Sequence, residues 1–274
     1  MARLGPYPRI RVLCRDGPVP MYENAIPLVY ESGPLRIRYL KGESADLIVS
    51  FSGVGKQRSV EPPPEFPGIA SADRQNHVLF VSDMSRSWLN GDGMAGQILR
   101  CIQATADHVK AARVIALGNS MGGTMALHLS RYFGFEKVIA FTPQYSVHPD
   151  DVPEEDRWHY FRKRIRTFHF PRVEALRPEA TKYFIFHGDE NRELAHALRF
   201  PRKPGISHFI LPGADHRLAS ELRSSGVLGP LIENILAGKT RRFRRQIANL
   251  GGVSIAQYRP DADALQQPDF AIAS

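Results

Sequence analysis

The sequence predicts an α/β fold: a mostly parallel central sheet with helices on both faces and a small insertion over the C-terminal edge of the sheet. Three observations carry this expectation. Short apolar runs recur along the chain, and stretches with helical apolar spacing separate them. One run, in "VIALGNSMGGTMAL" (114–127), ends on a serine set between glycines. Alternating strands and helices build a parallel sheet covered on both faces, because each crossover returns the chain to the same edge.

The elements follow in order. "LRIRYLKG" (35–42) alternates apolar and polar residues, as a half-exposed strand does. "ADLIVSFSG" (45–53) is nearly all apolar, as a strand buried on both faces is. Their closeness predicts that these two pair antiparallel at the entry to the sheet. After "HVLFVSD" (77–83) comes a helix whose apolar face is Ile98, Ile102, Ala106 and Val109. "RVIALGNS" (113–120) leads into "MGGTMALHLSRYF", a helix expected to run until Gly134 stops it. "EKVIAFTPQ", "KYFIFHG" and "SHFILPG" are three further buried strands, with "RELAHALRF" and "LASELRSSGVLGPLIENILAG" as helices. Residues 56–76 read as a long loop, and 145–181 as a lid-like insertion too long for a plain connection. The whole chain, 1–274, reads as one domain with 252–274 as a loose tail.

Composition narrows the function classes. The chain of 274 residues is 43% hydrophobic and 23% charged, ordinary globular values. No apolar run approaches a bilayer span, and the first residues lack the core of a signal peptide, so a cytoplasmic protein is expected. Cys14 and Cys101 lie in apolar contexts and read as reduced core thiols. There is no Cys/His cluster at metal spacing, so no metal is expected, and no cofactor either. The net charge of +8 is concentrated in "RKRIR" (162–166) and "KTRRFRR" (239–245). Solvated faces explain such clusters; an anionic polymer is the alternative partner.

Ser120 is the candidate nucleophile. It stands at the edge where open α/β sheets bind ligands, beyond the carboxyl end of a strand. Gly118 and Gly122 allow strand and helix to approach where a Cβ would collide. The helix behind the serine aims free N–H groups at developing negative charge. A second Gly-rich loop, "SFSGVG" (50–55), follows an earlier strand; the N–H groups of Val54 and Met121 are the candidate oxyanion donors. His216, in "LPGADHR", follows a later strand.

In "GNSMGG", "FSGVG", "FHGDEN" and "GADH" the sequence resembles the α/β-hydrolase superfamily over residues 35–238. "SDMSRSWLNG" and "FTPQYS" are also similar to hydrolase-like proteins of bacterial surface-polysaccharide loci. The resemblance implies a serine, acid and histidine in that chain order, with His216 as the base that takes the Ser120 proton. The acid would stand three residues after the glycine ending its strand, and that position, Asn191, is not acidic. Asp189 is therefore the first candidate, with Glu190, Asn191 and Asp215 as alternatives. The reaction implied is hydrolysis of an ester through an acyl-enzyme, on a small-molecule or glycan ester. A non-catalytic binding or accessory protein with a degenerate triad is the rival reading. Asp83, Arg86 and Trp88 either line a pocket or pack a loop, and His187 and the remaining histidines read as structural.

Overall fold

In the computed structural model, residues 26–259 are described. The strands are β1 (Leu28–Ser32), β2 (Leu35–Leu40), β3 (Asp46–Phe51), β4 (His77–Asp83), β5 (Arg113–Asn119), β6 (Lys137–Phe141), β7 (Lys182–Gly188), β8 (Ile206–Leu211) and β9 (Val253–Ser254). The helices are α1 (Pro67–Ser71), α2 (Met94–Val109), α3 (Met121–Leu129), α4 (His159–Arg162), α5 (Asn191–Arg199), α6 (Leu218–Ser224), α7 (Leu228–Leu236) and α8 (Thr240–Asn249). Among the described residues the strands form one sheet in the order β1-β2-β4-β3-β5-β6-β7-β8-β9. From β4 to β8 all neighbours are parallel; β1, β2 and β9 run antiparallel to theirs.

The period-2 geometry of β3 and β4 divides the core. Leu47, Val49, Phe51, Leu79 and Val81 face α2 and α3, while Ile48, Val78 and Phe80 face α1, α6, α7 and α8. On α2, Ile98, Ile102 and Ala106 are buried as the spacing predicts, and Val109 is half-buried. No helix among the described residues is long and apolar enough to cross a membrane.

Four expectations are corrected. β2 and β3 do not pair; β4 lies between them, antiparallel to β2 and parallel to β3. A strand as apolar as β3 is accommodated inside the sheet, and the short link from β2 steps over β4 to reach it. The 56–76 loop contains α1, which begins on Pro67, where a missing N–H costs nothing. α3 ends at Leu129 and continues only as turns, so Gly134 does not cap it. The segment after Gly252 is partly anchored: β9 pairs with β8, and Ile255 is buried. The rest of that tail, and Cys14, lie outside the described residues. Cys101 is buried on α2, and burial pushes its thiol up to about 12, so it is an inert core residue.

Candidate active site

The elbow at Ser120 is shaped by two glycines. A Cβ on Gly122 would lie 2.1 Å from the Phe51 carbonyl oxygen, and one on Gly118 2.3 Å from the Gly122 carbonyl carbon. Strand and helix therefore touch through backbone. Ser120 itself is held at φ 56°, ψ −126°, a conformation that costs a residue with a Cβ about 1–3 kcal/mol. That turn projects Oγ out of the strand end. The Oγ lies 2.9 Å from His216 Nε2. His216 Nδ1 lies 2.8 Å from Glu193 Oε1. An imidazole that donates from Nδ1 to a carboxylate leaves Nε2 free to accept the serine proton.

Asp189 does not reach the histidine. Its Oδ1 accepts from the Gly213 N–H at 2.7 Å, and its Oδ2 from the Tyr258 hydroxyl at 3.4 Å. The carboxylate ties the end of β7 to the turn after β8. Glu190 is the exposed residue before α5, and Asp215 is engaged by its neighbour Arg217. Asn191 opens α5, and its side chain lies outside the described set. Glu193 instead lies beside the histidine: it sits one turn into the helix, four residues past Asp189, and its longer side chain spans the added distance. One signal in the sequence marks it. Glu193, His196, Ala197 and Phe200 repeat at helical spacing and all are buried, so a carboxylate on this stripe must have partners.

Those partners come from the insertion. Arg157 Nη1 donates to Glu193 Oε1 at 2.6 Å, while its other nitrogens bind Glu155. Glu155 also accepts from His196 Nε2 at 2.9 Å. The Tyr145 N–H donates to His196 Nδ1, which fixes that tautomer. A line of hydrogen bonds thus runs from His196 through Glu155 and Arg157 to Glu193 and His216. Burial pushes the Glu193 carboxyl up; the hydrogen bond from His216 and the charges of His216 and Arg157 outweigh it and hold the group at about 2. The Trp158 ring packs edge-on to His216, with centroids 4.9 Å apart, and Arg157 lies over that same ring.

The other expected residues fall around this core. Backbone of the loop after β3 runs beside the serine: a Cβ on Gly53 would be 3.8 Å from Ser120 Cβ. Val54 is buried in that loop. Arg86, fully buried, donates to the carbonyls of Val54, Met84, Gln57 and Val60, so it staples the loop in place. Asp83 accepts from the N–H and hydroxyl groups of Ser85 and Ser87, which shapes the next turn. Gln144, not singled out from the sequence, donates from Nε2 to Ser120 Oγ at 3.3 Å. Its orientation is set by Trp88, whose indole N–H can only donate and does so to Gln144 Oε1 at 2.8 Å.

No family profile matches the sequence, and no curated protein does either. Solved structures do resemble it. The capsule O-acetyltransferase of Neisseria meningitidis serogroup A superposes with a TM-score of 0.51 at 16% identity, covering 77% of this chain and 95% of that one. The chain has the α/β-hydrolase fold. Est1E from Butyrivibrio proteoclasticus (TM-score 0.47, 14% identity, 74% and 95% covered) is another solved neighbour. So is MGS-MChE2, an α/β hydrolase from a lagoon-sediment metagenome (0.45, 16%, 79% and 98%). At these identities the likeness concerns the fold, and chemistry must be argued from the site.

Proposed function

We propose that the protein is a serine hydrolase or acyl transferase acting on esters, with Ser120 as nucleophile, His216 as base and Glu193 as acid. The observation that carries this reading is the unbroken line of hydrogen bonds from Ser120 Oγ through both ring nitrogens of His216 to the buried Glu193. In this mechanism Ser120 Oγ attacks the ester carbonyl carbon as its proton passes to His216 Nε2. Glu193 stabilises the imidazolium and holds its tautomer. The oxyanion that forms is met by the N–H groups of Met121, at the start of α3, and of Val54, in the loop that Arg86 holds beside the serine. His216 then returns the proton to the leaving alcohol oxygen, the C–O bond breaks, and an acyl group remains on Ser120. Water, or the hydroxyl of an acceptor such as a glycan, attacks that acyl-enzyme and restores Ser120.

The degenerate-triad reading started from a missing acid at the expected position; Glu193 beside His216 favours the catalytic reading over it. The deciding experiment is labelling of the full chain by a fluorophosphonate. One adduct is expected, on Ser120, and Ser120→Ala should abolish it while thermal unfolding is unchanged. Labelling that persists in Ser120→Ala, or none in the wild type, would end the proposal.

A further inference from the structure

The motif "RKRIR" stands outside the chemistry described so far, and it lines a cavity. The cavity measures about 530 Å³ and lies between the loop after β4, the "GVGKQRS" stretch after β3 and the insertion. Arg58, Arg164 and Arg166 reach it from two separate segments, with Tyr160, Ser85 and Asn90 on its walls. The Arg58 and Arg164 guanidiniums lie 4.4 and 3.5 Å from the centre of the Tyr160 ring. Among the described residues no carboxylate pairs with any of the three arginines; the one acid on the wall, Asp92, is engaged by His169 at 3.0 Å. An aromatic ring can hold two guanidiniums near each other, because its π face attracts cations. It leaves their charge without a carboxylate partner among the described residues; of their N–H groups, one on Arg164 Nη1 donates to the Tyr160 carbonyl at 2.5 Å.

The cavity lies on the same edge as Ser120. Its loops leave the C-terminal ends of β3 and β4, and Pro34 beside it faces the end of β4. β4 is separated from β5 by β3 alone, so the lateral offset from the serine strand is two strand spacings, about 10 Å. Tyr160 stands two residues beyond Trp158, whose ring touches His216.

We propose that this cavity is a binding subsite for a phosphate-bearing group of the substrate, read by Arg58, Arg164 and Arg166. Planar guanidinium forks match phosphate oxygens in pairs, and three of them exceed what one carboxylate can accept. The place of the subsite in catalysis rests on the reading of Ser120 as nucleophile, whereas anion binding to the cavity does not. The substrate class is then a phosphorylated ester, or a phosphorylated acceptor of the acyl group.

The test is calorimetric titration of the full-chain Ser120→Ala protein with inorganic pyrophosphate at low salt. One saturable site is expected. Replacing Arg58, Arg164 and Arg166 together by Gln should weaken it at least tenfold, and Arg164→Gln alone should weaken it several-fold. A control changes Arg241, Arg242, Arg244 and Arg245 of α8 to Gln and should leave the affinity unchanged. Thermal unfolding of each variant establishes that it is folded. No saturable binding, loss in the α8 variant instead, or tighter binding of a tricarboxylate than of pyrophosphate overturns the proposal. Pyrophosphate bound at the three arginines without any phosphonate adduct in the wild type would keep the subsite and remove the catalytic reading. An adduct without pyrophosphate binding would do the reverse.

Discussion

The turns at Ser120 and at Asp189 both leave a parallel strand for a helix, yet only the first was written plainly in the sequence. At Ser120 the constraint is on backbone. Gly118 and Gly122 are required because a Cβ would strike main-chain atoms, which cannot yield. A requirement of that kind selects one residue type at a fixed position. The acid turn has a backbone constraint too, since a Cβ on Gly188 would strike the Ala214 carbonyl, but there the place of the acid depends on the reach of a side chain. A carboxylate on the first residue after β7 and one a helical turn later are both sterically allowed, and the partner on another element decides between them. Asp189 meets the Gly213 N–H; Glu193 meets His216 and Arg157.

The largest effect expected from this difference is catalytic. Glu193→Gln should lower kcat by about 10⁴, the scale of losing the triad carboxylate in a serine protease. Asp189→Asn should leave kcat within a few-fold and lower stability by about 1 kcal/mol through a weakened hydrogen bond to Gly213. Steady-state kinetics on an activated ester, with thermal unfolding in parallel, compares the two. The assignment fails if Asp189→Asn costs as much rate as Glu193→Gln.

Legibility followed the same division elsewhere. The alternation of apolar runs gave away β3 to β8, because burial on both faces excludes polar residues. The position of β4 between β2 and β3 was hidden, since the apolar pattern of a strand does not name its neighbours. The histidine was legible from its place after β8. Gln144 and Arg157 were not, because each acts through a contact made across the fold, Gln144 with Trp88 and Arg157 with Glu155. The basic run at 162–166 read as a solvated face. Lys163, Arg164 and Arg166 are exposed, as that reading expects, whereas Arg162, which ends α4, turns its guanidinium inward to the carbonyls of Val147 and Glu155.

A smaller effect separates the two turns by pH. His187, the residue before Gly188, is fully buried, donates to the Pro143 carbonyl and shares a hydrogen bond with His208. Burial is the main cause that lowers it to about 4, with the nearby Glu193 opposing. The unfolded chain takes up this proton near pH 6.5, so between those values the unfolded state holds more protons and stability falls as pH falls. By pH 5 the loss from His187 is about 2 kcal/mol. Glu193 adds to it only below about pH 4.5, since its native value is about 2. The midpoint of thermal unfolding should drop between pH 7 and 5, and His187→Gln should flatten that slope. A midpoint that is level across this range would contradict the neutral, buried state of His187.

The smallest effect concerns what the insertion does for the acid turn. Arg157 places a full positive charge against the carboxylate that His216 uses. Arg157→Gln removes that charge and shortens the donor, so the carboxylate loses a fixed partner. The rate at the optimum should fall about tenfold, since a misplaced catalytic group loses rate steeply. Arg157→Lys restores the charge without the fork that binds Glu193 and Glu155 together, so its kcat should lie between those of Arg157→Gln and the wild type. Steady-state kinetics on an activated ester, with thermal unfolding in parallel, makes the comparison. Wild-type kcat in Arg157→Gln would reduce Arg157 to a structural contact of the insertion.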